Sequence, residues 1–237
     1  MERLCFSFAR TMPLAYISHL DMMRLFLRAL RRSNLPLAYS QGYNPHPRLT
    51  LALPLPVGVT ASEELGEIFF AEAVSPEDFI SILGSQLPAS LELTGAGRLS
   101  PESTSLAARV CAALYRVFVS DEPDRGTQYV LLRGALDKLM SREEILMERK
   151  SKKKKITFIN VRPYILKAEI IYKEGRPLEL SLLLKAGSSG GVSPFFIIEQ
   201  LKMEAGSGLM DASSWHVHRE KLYTGQNGSL QPLPERM

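Results

Sequence analysis

Residues 18–48 hold most of the side chains in this chain that could do chemistry. Two of the four histidines, His19 and His46, lie in this segment close to Asp21. The same segment contains five arginines: Arg24, Arg28, Arg31, Arg32 and Arg48. Imidazoles exchange protons near neutral pH, and guanidinium groups bind phosphate and carboxylate through paired hydrogen bonds. The segment therefore predicts a site for an anionic ligand, with two histidines available as acid or base.

A helix is predicted over residues 18–33, and one of its faces is basic. Ser18 and Asp21 form a variant of the capping box, and Asp21 also suits the positive end of the helix dipole. Both residues can therefore be purely structural. At 100° per residue, Arg24, Arg28, Arg31 and Arg32 share one face, opposite an apolar face of Met22, Met23, Phe26, Leu27, Ala29 and Leu30. Like charges at this spacing repel one another, which favours an anionic ligand over a merely solvated face.

The loop that follows, SQGYNPHP at residues 40–47, is predicted to be stiff. Gly42 permits a positive φ or a close backbone approach. The two prolines around His46 fix their own φ and restrict Asn44 and His46. A restricted histidine loses less entropy when it binds, so a ligand site is expected here that includes Ser40, Tyr43, Asn44, His46 and Arg48.

Metal and cofactor sites are not expected. His19, Asp21 and His46 could supply three ligands, but no short metal-binding spacing occurs. The two cysteines, Cys5 and Cys111, are too few for an iron–sulfur cluster, which takes four ligands. Both lie in or beside apolar runs, which is typical of buried thiols.

The composition is that of a globular protein with an uneven charge. The 237 residues are 45% hydrophobic and 23% charged, with a formal net charge of +4. Residues 1–50 and 145–176 are basic and residues 51–120 are acidic, a pattern that suggests a polyanionic partner. No run has the length of a membrane span and no signal pattern begins the chain, so we expect a cytoplasmic location.

The order of predicted elements repeats. Each half of the chain follows the order β-α-β-β-α-β, with residues 100–108 as a linker. This predicts an α+β fold of tandem ferredoxin-like domains with antiparallel sheets. The first domain is expected at 1–100 and carries the SHLD and GYNPHP motifs. The second is expected at 109–225, and residues 226–237 are expected to form a flexible tail.

The second half carries weaker signals. A run of four lysines, residues 152–155, fits a solvated edge strand or a strand that contacts phosphate. Glycines and serines at 186–191 precede Ser193, a good N-cap, and suggest a flexible loop or a phosphate cradle. Alternation along a strand places His216 and His218 on one face and Arg219 on the other.

These motifs resemble those of a known family. The run ISHLD at 17–21, then Arg24, Arg28, Ala29 and Pro36, and SQGYNPHP at 40–47 are similar to the radical SAM-linked protein family. The resemblance covers roughly residues 2–220, and NVRP at 160–163 is similar to a second, weaker motif in which an aspartate is expected at the position of Asn160. The resemblance implies a radical SAM protein as partner. It implies no radical chemistry in this chain, which would be a stand-alone form of a domain that other members carry fused to the enzyme.

Three functions follow as hypotheses. The first is an accessory RNA-binding protein that presents tRNA or rRNA to a radical SAM enzyme, with Arg24, Arg28, Arg31 and Arg48 on phosphates and Tyr43 stacked on a base. The second is a scaffold whose basic helix docks an acidic face of that enzyme. The third is an endonuclease or other hydrolase with His19 and His46 as acid and base.

Overall fold

The computed structural model describes residues 1–119, 125–150, 156–173, 176–209, 215–226 and 229–233. The fold is mixed α+β, with sheets whose recorded pairings are antiparallel. Contacts divide the chain into two units, and the first contains both ends of the chain. The first unit comprises Met1–Cys111 and His218–Met237, and the second Ala112–Val217.

Eleven strands and five α-helices are seen in the described ranges. In chain order they are β1 Glu2–Arg10, α1 His19–Arg32, β2 Leu49–Leu51, β3 Val59–Phe70, α2 Pro76–Gly84, β4 Leu91–Leu99, α3 Leu106–Arg109, β5 Val110–Val119, α4 Arg125–Ser141, β6 Leu146–Lys150, β7 Ile156–Asn160, β8 Ile165–Ile171, β9 Leu178–Lys185, α5 Pro194–Ala205, β10 Trp215–Gln226 and β11 Ser229–Leu233. Short 3-10 turns occur at Leu14–Tyr16, Arg162–Tyr164 and Gly206–Gly208.

In the first unit, β1 is the central strand. It pairs antiparallel with β3 on one side and β4 on the other. Strand β2 pairs with β3, β10 is also a neighbour of β3, and β11 pairs with β10. The helices α1 and α2 cover this sheet through an apolar core that includes Phe6, Phe8, Phe26, Phe70 and Phe79. Edge-to-face ring contacts, such as Phe8–Phe26 at 5.0 Å between centroids, hold this cluster together.

Gly66 has a packing role in this core. A Cβ at this position would overlap the Phe6 ring, which lies directly over the glycine backbone. Gly66 is the cross-strand partner of Phe6 in the β1–β3 register. The missing side chain therefore lets the central phenylalanine lie flat on the neighbouring strand.

In the second unit, β5 pairs with β9 and β9 with β8, all antiparallel. Strand β9 alternates buried and half-buried residues along its length, as expected for a strand with one face on a core. The helices α4 and α5 pack against each other. Strands β6 and β7 form a separate two-stranded hairpin between α4 and β8.

The predicted linker, residues 100–108, is partly helical. Helix α3 begins within it at Leu106, and Ser105 caps that helix. Isolated bridges join Leu37 to Phe70 and Tyr39 to Pro47.

The end of the chain also differs from the expectation. The sequence placed a flexible tail after residue 225, whereas β10 runs to Gln226 and residues 229–233 form β11, paired in register with Leu222–Gln226. Residues from His218 onward belong to the first unit. In the described ranges, no helix combines the length and apolarity needed to cross a bilayer.

Candidate functional site

The start of α1 is fixed by its cap. The Ser18 Oγ accepts a hydrogen bond from the Asp21 backbone N–H at 3.2 Å and donates to Asp21 Oδ2 at 2.7 Å. Arg24 forms an ion pair with Asp21 Oδ1 at 2.8 Å. The hydrogen bond from Ser18, followed by that from Arg24, lowers the pKa of Asp21. The structural explanation of Ser18 and Asp21 therefore holds, and Asp21 also orients Arg24.

An open groove of about 490 Å³ runs along the basic face of α1. We call it the α1 groove. Arg24, Arg28 and Arg32 line it, and its other lining residues include Leu14, Ile17, Leu25, Gln86 and Pro88. Arg32 is held by the loop after α2, since its Nη2 donates to the Gln86 carbonyl at 2.6 Å.

Arg28 is the groove cation with the greatest freedom to bind. It is exposed, and in the described part of the chain no carboxylate pairs with it. Arg24 is partly neutralised by Asp21, and Arg32 is tied to Gln86. Arg31, also exposed, lies on α1 but does not line the groove.

The GYNPHP loop holds His46 through its own residues. The His46 Nδ1 lies 3.0 Å from Ser40 Oγ and 3.3 Å from the Asn44 carbonyl oxygen, and the His46 backbone N–H donates to Ser40 Oγ at 3.2 Å. Because a carbonyl can only accept, a proton on Nδ1 satisfies both ring contacts and leaves Nε2 free for a ligand. Gly42 has φ of 126°, which explains the glycine, and Tyr43 is fully exposed.

A second cavity, of about 450 Å³, lies beside this loop and is predominantly polar. We call it the Arg48 cavity. His46, Arg48, Thr50 and Phe69 line one part, and Ser103 and Ser105 another. The guanidinium carbon of Arg48 lies over the Phe69 ring, 3.8 Å from its centroid.

A buried ion pair lines the Arg48 cavity as well. Arg3 Nη2 lies 2.6 Å from Glu67 Oε2, and both side chains are almost fully buried. The other terminal nitrogen of Arg3 donates to the Ser103 carbonyl at 2.6 Å, and Glu67 accepts from the Leu106 N–H at 3.1 Å. Glu67 is thereby neutralised, so the remaining positive charge at this cavity is that of Arg48.

His19 lies elsewhere, at a small enclosed cavity that it shares with Arg10 and Glu64. The cavity measures about 10 Å³, which is room for about one water molecule. Arg10, Glu64 and Arg219 are only 1%, 3% and 0% exposed. Arg219 binds Glu64 with two nitrogens, one at 2.6 Å, and donates to the Leu53 carbonyl at 2.9 Å.

Arg10 depends on backbone carbonyls in the same region. Its Nη2 donates to the carbonyls of Val59 at 2.7 Å and Pro56 at 3.0 Å, while its Nε is buried without a partner. Burial lowers the pKa of Arg10, and the Glu64 charge opposes that effect. We call Arg10, Glu64 and Arg219 the buried arginine cluster.

The structure thus separates the predicted site residues into three places. The α1 groove has Asp21, Arg24 and Arg28; the Arg48 cavity has His46 and Arg48, with Ser40 and Asn44 behind His46; and the enclosed cavity has His19. Arg3, Phe69 and the buried arginine cluster are polar or aromatic features that the sequence reasoning did not select. These residues pair across as many as 155 positions of the chain, so no local sequence pattern indicates the pairs.

The weaker signals of the second half have mainly structural explanations. Asn160 Oδ1 accepts from the backbone N–H groups of Ile145 and Arg162, both at 3.0 Å, and closes the base of the β6–β7 hairpin. Ser193 caps α5. His218 lies between Thr60 Oγ1 at 2.8 Å and Ser62 Oγ at 2.5 Å. The lysine run at 152–155 lies outside the described residues.

Within the described ranges, no three His, Cys, Asp or Glu side chains converge closely enough to hold a metal ion. The chemistry available at the α1 groove and the Arg48 cavity is therefore that of guanidinium, imidazole, hydroxyl and aromatic groups. These groups bind anions and planar rings.

Geometry defines this protein as one with a mixed α+β fold and two basic cavities. A model of the family described as "Uncharacterized protein conserved in bacteria (DUF2344)" matches residues 3–194, so the chain belongs to that family. No curated protein matches the chain.

Two solved structures show distant likeness. A chain in the "Crystal Structure of a Cbf5-Nop10-Gar1 Complex" is 11% identical with a TM-score of 0.41 over 92% of this chain. This chain spans about half, 49%, of that one. A "putative glycine cleavage system transcriptional repressor" is 10% identical with a TM-score of 0.22, covering 86% of this chain and 87% of the other.

Proposed function

We propose that this protein is an RNA-binding accessory protein, built from two ferredoxin-like units, that acts with a radical SAM enzyme in the modification of tRNA or rRNA. The observation that carries the RNA-binding part is the α1 groove. It combines three arginines with apolar side chains in one open channel. That combination suits a strand with charged phosphates and flat, weakly polar bases.

The spacing of the arginines supports a strand rather than a single phosphate. Arg24, Arg28 and Arg32 follow one another at intervals of four residues, which is about 6 Å along a helix axis. Cations repeated at that step can contact successive phosphates of one strand. Leu14, Ile17 and Leu25 then provide apolar surface on which bases can lie.

The strand order supports the ferredoxin-like part of the proposal. In the first unit, β1 lies between β4 and β3, and β2 pairs with β3. That is the arrangement expected when two right-handed β-α-β crossovers are interleaved. The order β5, α4, β8, β9, α5 and β10 in the second half follows the same plan, with the β6–β7 hairpin inserted. Sheets of this kind serve widely as RNA-binding modules.

The radical SAM partner is proposed from the resemblance of the SHLD and GYNPHP motifs alone. The chain has two cysteines, one of them buried at Cys5, and so would rely on the partner for the radical chemistry. In this role the α1 groove holds the RNA while the partner modifies it.

The experiment is a salt titration of RNA binding. Fluorescence anisotropy with labelled tRNA and with an unstructured single strand should show log affinity falling linearly with log salt. Arg28→Ala should reduce the magnitude of that slope by about 0.7–0.9, the value of one lost phosphate contact. Arg31→Ala removes the same charge from the same helix outside the groove, and we expect it to have the smaller effect on both slope and affinity.

Two outcomes would overturn the RNA-binding proposal. One is undetectable binding of either RNA at about 50 mM salt, where phosphate contacts are strongest. The other is an equal loss of affinity in Arg28→Ala and Arg31→Ala, since this would reflect net charge rather than the groove.

A scaffold function is the second candidate, and one observation favours it. Three large apolar side chains are exposed near the start of α1: Met12 and Tyr16 in the segment before the helix, and Leu20 in its first turn. Exposed aromatic and methionine side chains are enriched at protein interfaces. A stable complex with a radical SAM protein that survives ribonuclease, and that charge reversal at Arg28 and Arg32 disrupts, would favour this candidate over RNA binding.

A two-histidine hydrolase is not supported by the placement of its residues. His19 and His46 line different cavities, whereas an acid and a base that act on one bond must both reach it.

A further inference from the structure

The Arg48 cavity has the features of a ligand site that is separate from the α1 groove. The geometry points to a binding site for a single 5′-phosphorylated nucleotide in this cavity, with the base on Arg48 and the phosphate among the polar groups of the cavity. The two cavities have no lining residue in common. The inference therefore goes beyond the proposed RNA-binding function and does not depend on it.

The cavity offers a surface for a planar group. The guanidinium carbon of Arg48 lies over the Phe69 ring, 3.8 Å from its centroid, and this cation–π contact restricts the position of the guanidinium. Arg3 approaches the same ring, with 5.4 Å between its guanidinium carbon and the ring centroid. A guanidinium fixed in this way offers its other face to a second planar group, and nucleobases stack well on such a surface.

The cavity is positively charged. Arg3 and Glu67 neutralise each other, and Glu67 is further occupied by the Leu106 N–H. The remaining cation is Arg48, whose side-chain hydrogen bond in the described structure is to the Met1 sulfur at 2.9 Å. Thioether sulfur is a weak acceptor, so an anion can take its place. The cavity therefore favours a ligand with a negative charge.

The cavity presents both hydrogen-bond acceptors and donors. With its proton on Nδ1, His46 offers Nε2 as an acceptor, and Thr50, Ser103 and Ser105 add hydroxyl groups. The Ser103 Oγ donates to the Ser100 carbonyl at 2.8 Å, and so presents lone pairs to the cavity, whereas the exposed Thr50 hydroxyl can donate. Hydroxyl groups with both roles suit the sugar and the phosphate of a nucleotide.

The cavity is also large enough for a nucleotide. A volume of about 450 Å³ falls within the range of cavities that hold small organic ligands, roughly 300–1,000 Å³. An inorganic phosphate alone would use a small part of it and none of the Arg48–Phe69 surface. The nucleotide can be a free monophosphate or the 5′ end of an RNA, since both present the same groups.

The test is calorimetric titration of the full chain with nucleoside 5′-monophosphates, the matching nucleosides and inorganic phosphate. We expect the monophosphates to bind about tenfold or more tightly than inorganic phosphate, since one base stack has that value. They should also bind more tightly than the nucleosides, which lack the negative charge that the cavity favours. Arg48→Ala should remove this binding. Arg48→Lys, which keeps the charge and loses the plane, should still bind phosphate but lose the preference for the monophosphate.

The control is Arg133→Ala. Arg133 is an exposed arginine of α4 that pairs with Asp137 and does not line the Arg48 cavity, so its removal changes net charge equally and should leave the titrations within about twofold. Equal losses in Arg48→Ala and Arg133→Ala would overturn the inference. So would equal affinity for phosphate and monophosphate, or no binding of either.

The two sources of the nucleotide are separated by competition. The competition uses the Arg28→Glu variant, which lacks the central cation of the α1 groove. If a 5′-phosphorylated RNA displaces the monophosphate and the 5′-hydroxyl form of that RNA does not, the RNA end is the ligand. If neither RNA displaces it, the ligand is the free nucleotide. If the wild-type protein binds the monophosphates but binds no RNA, only the α1 groove proposal is refuted.

Discussion

The buried arginine cluster makes the stability of the first unit depend on Glu64. Arg10 and Arg219 are buried cations, and Glu64, 3% exposed, is the carboxylate that faces both. Glu64→Gln keeps the volume and one hydrogen-bond acceptor but removes the charge. Arginine cannot lose its proton in a protein, so both buried cations would lose the negative charge of Glu64.

The expected cost follows from that geometry. Removing one member of a buried ion pair costs about 3–5 kcal/mol of unfolding free energy. With an m value of about 2 kcal/mol/M, the urea midpoint should fall by roughly 2 M. The measurement is urea unfolding followed by circular dichroism.

Glu63→Gln is the matched control. Glu63 is the preceding residue of β3 and pairs with Lys221 at 3.1 Å, but both side chains are partly exposed. A solvent-screened pair of this kind contributes about 0.2–1 kcal/mol. The reasoning fails if the two variants unfold within about 1 kcal/mol of each other, because the charge of Glu64 would then not matter.

A double variant separates charge from packing. Glu64→Gln combined with Arg219→Met removes one of the two buried cations that face position 64, so it should be more stable than Glu64→Gln alone. If instead the double variant loses as much unfolding free energy as Glu64→Gln and Arg219→Met lose in sum, packing rather than charge accounts for the losses, and the electrostatic explanation is wrong.

Two further predictions concern the core of the first unit. Gly66→Ala should cost about 1–3 kcal/mol of unfolding free energy, because its Cβ overlaps the Phe6 ring; Gly134→Ala, in open space on α4, should be neutral or stabilising by up to about 1 kcal/mol, and a similar cost for both would contradict this explanation. Burial raises the pKa of the Cys5 thiol, which lowers its thiolate fraction at pH 8. A thiol reagent should therefore label Cys5 slowly in native protein and rapidly in denaturant, and rapid native labelling of Cys5 would contradict this prediction.

The sequence predicted α1 well because its signals are local. Ser18 and Asp21 mark the first turn, the apolar spacing marks the buried face, and the structure has the helix at His19–Arg32 with Met22, Phe26, Ala29 and Leu30 buried. Capping and periodicity act within one or two turns. The positive φ of Gly42 and the fixed position of His46 were predictable for the same reason.

The polar interior was not predictable, because it depends on pairing between distant segments. The sequence predicts only that Arg219 lies on the opposite face of its strand from His218. Nothing near Arg219 in the sequence indicates that it meets Glu64 where β3 and β10 are neighbours. Arg3 likewise reads as an ordinary strand residue until β3 brings Glu67 beside it. The division of the candidate residues among three cavities also depends on how strands and loops meet, so grouping along the chain could not reveal it.

The first unit contains residues from both ends of the chain, and this affects how it can fold during synthesis. Glu64 and Arg219 are 155 residues apart, so at roughly 5–20 residues per second the ribosome makes Arg219 about 8–30 s after Glu64. During that time β1 to β4 can form, but β3 lacks its neighbour β10 and Glu64 lacks the counter-ion that binds it in the finished protein. The nascent first unit therefore has an unpaired strand edge of the kind that chaperones protect, and its folding is completed only after β10 has been synthesised.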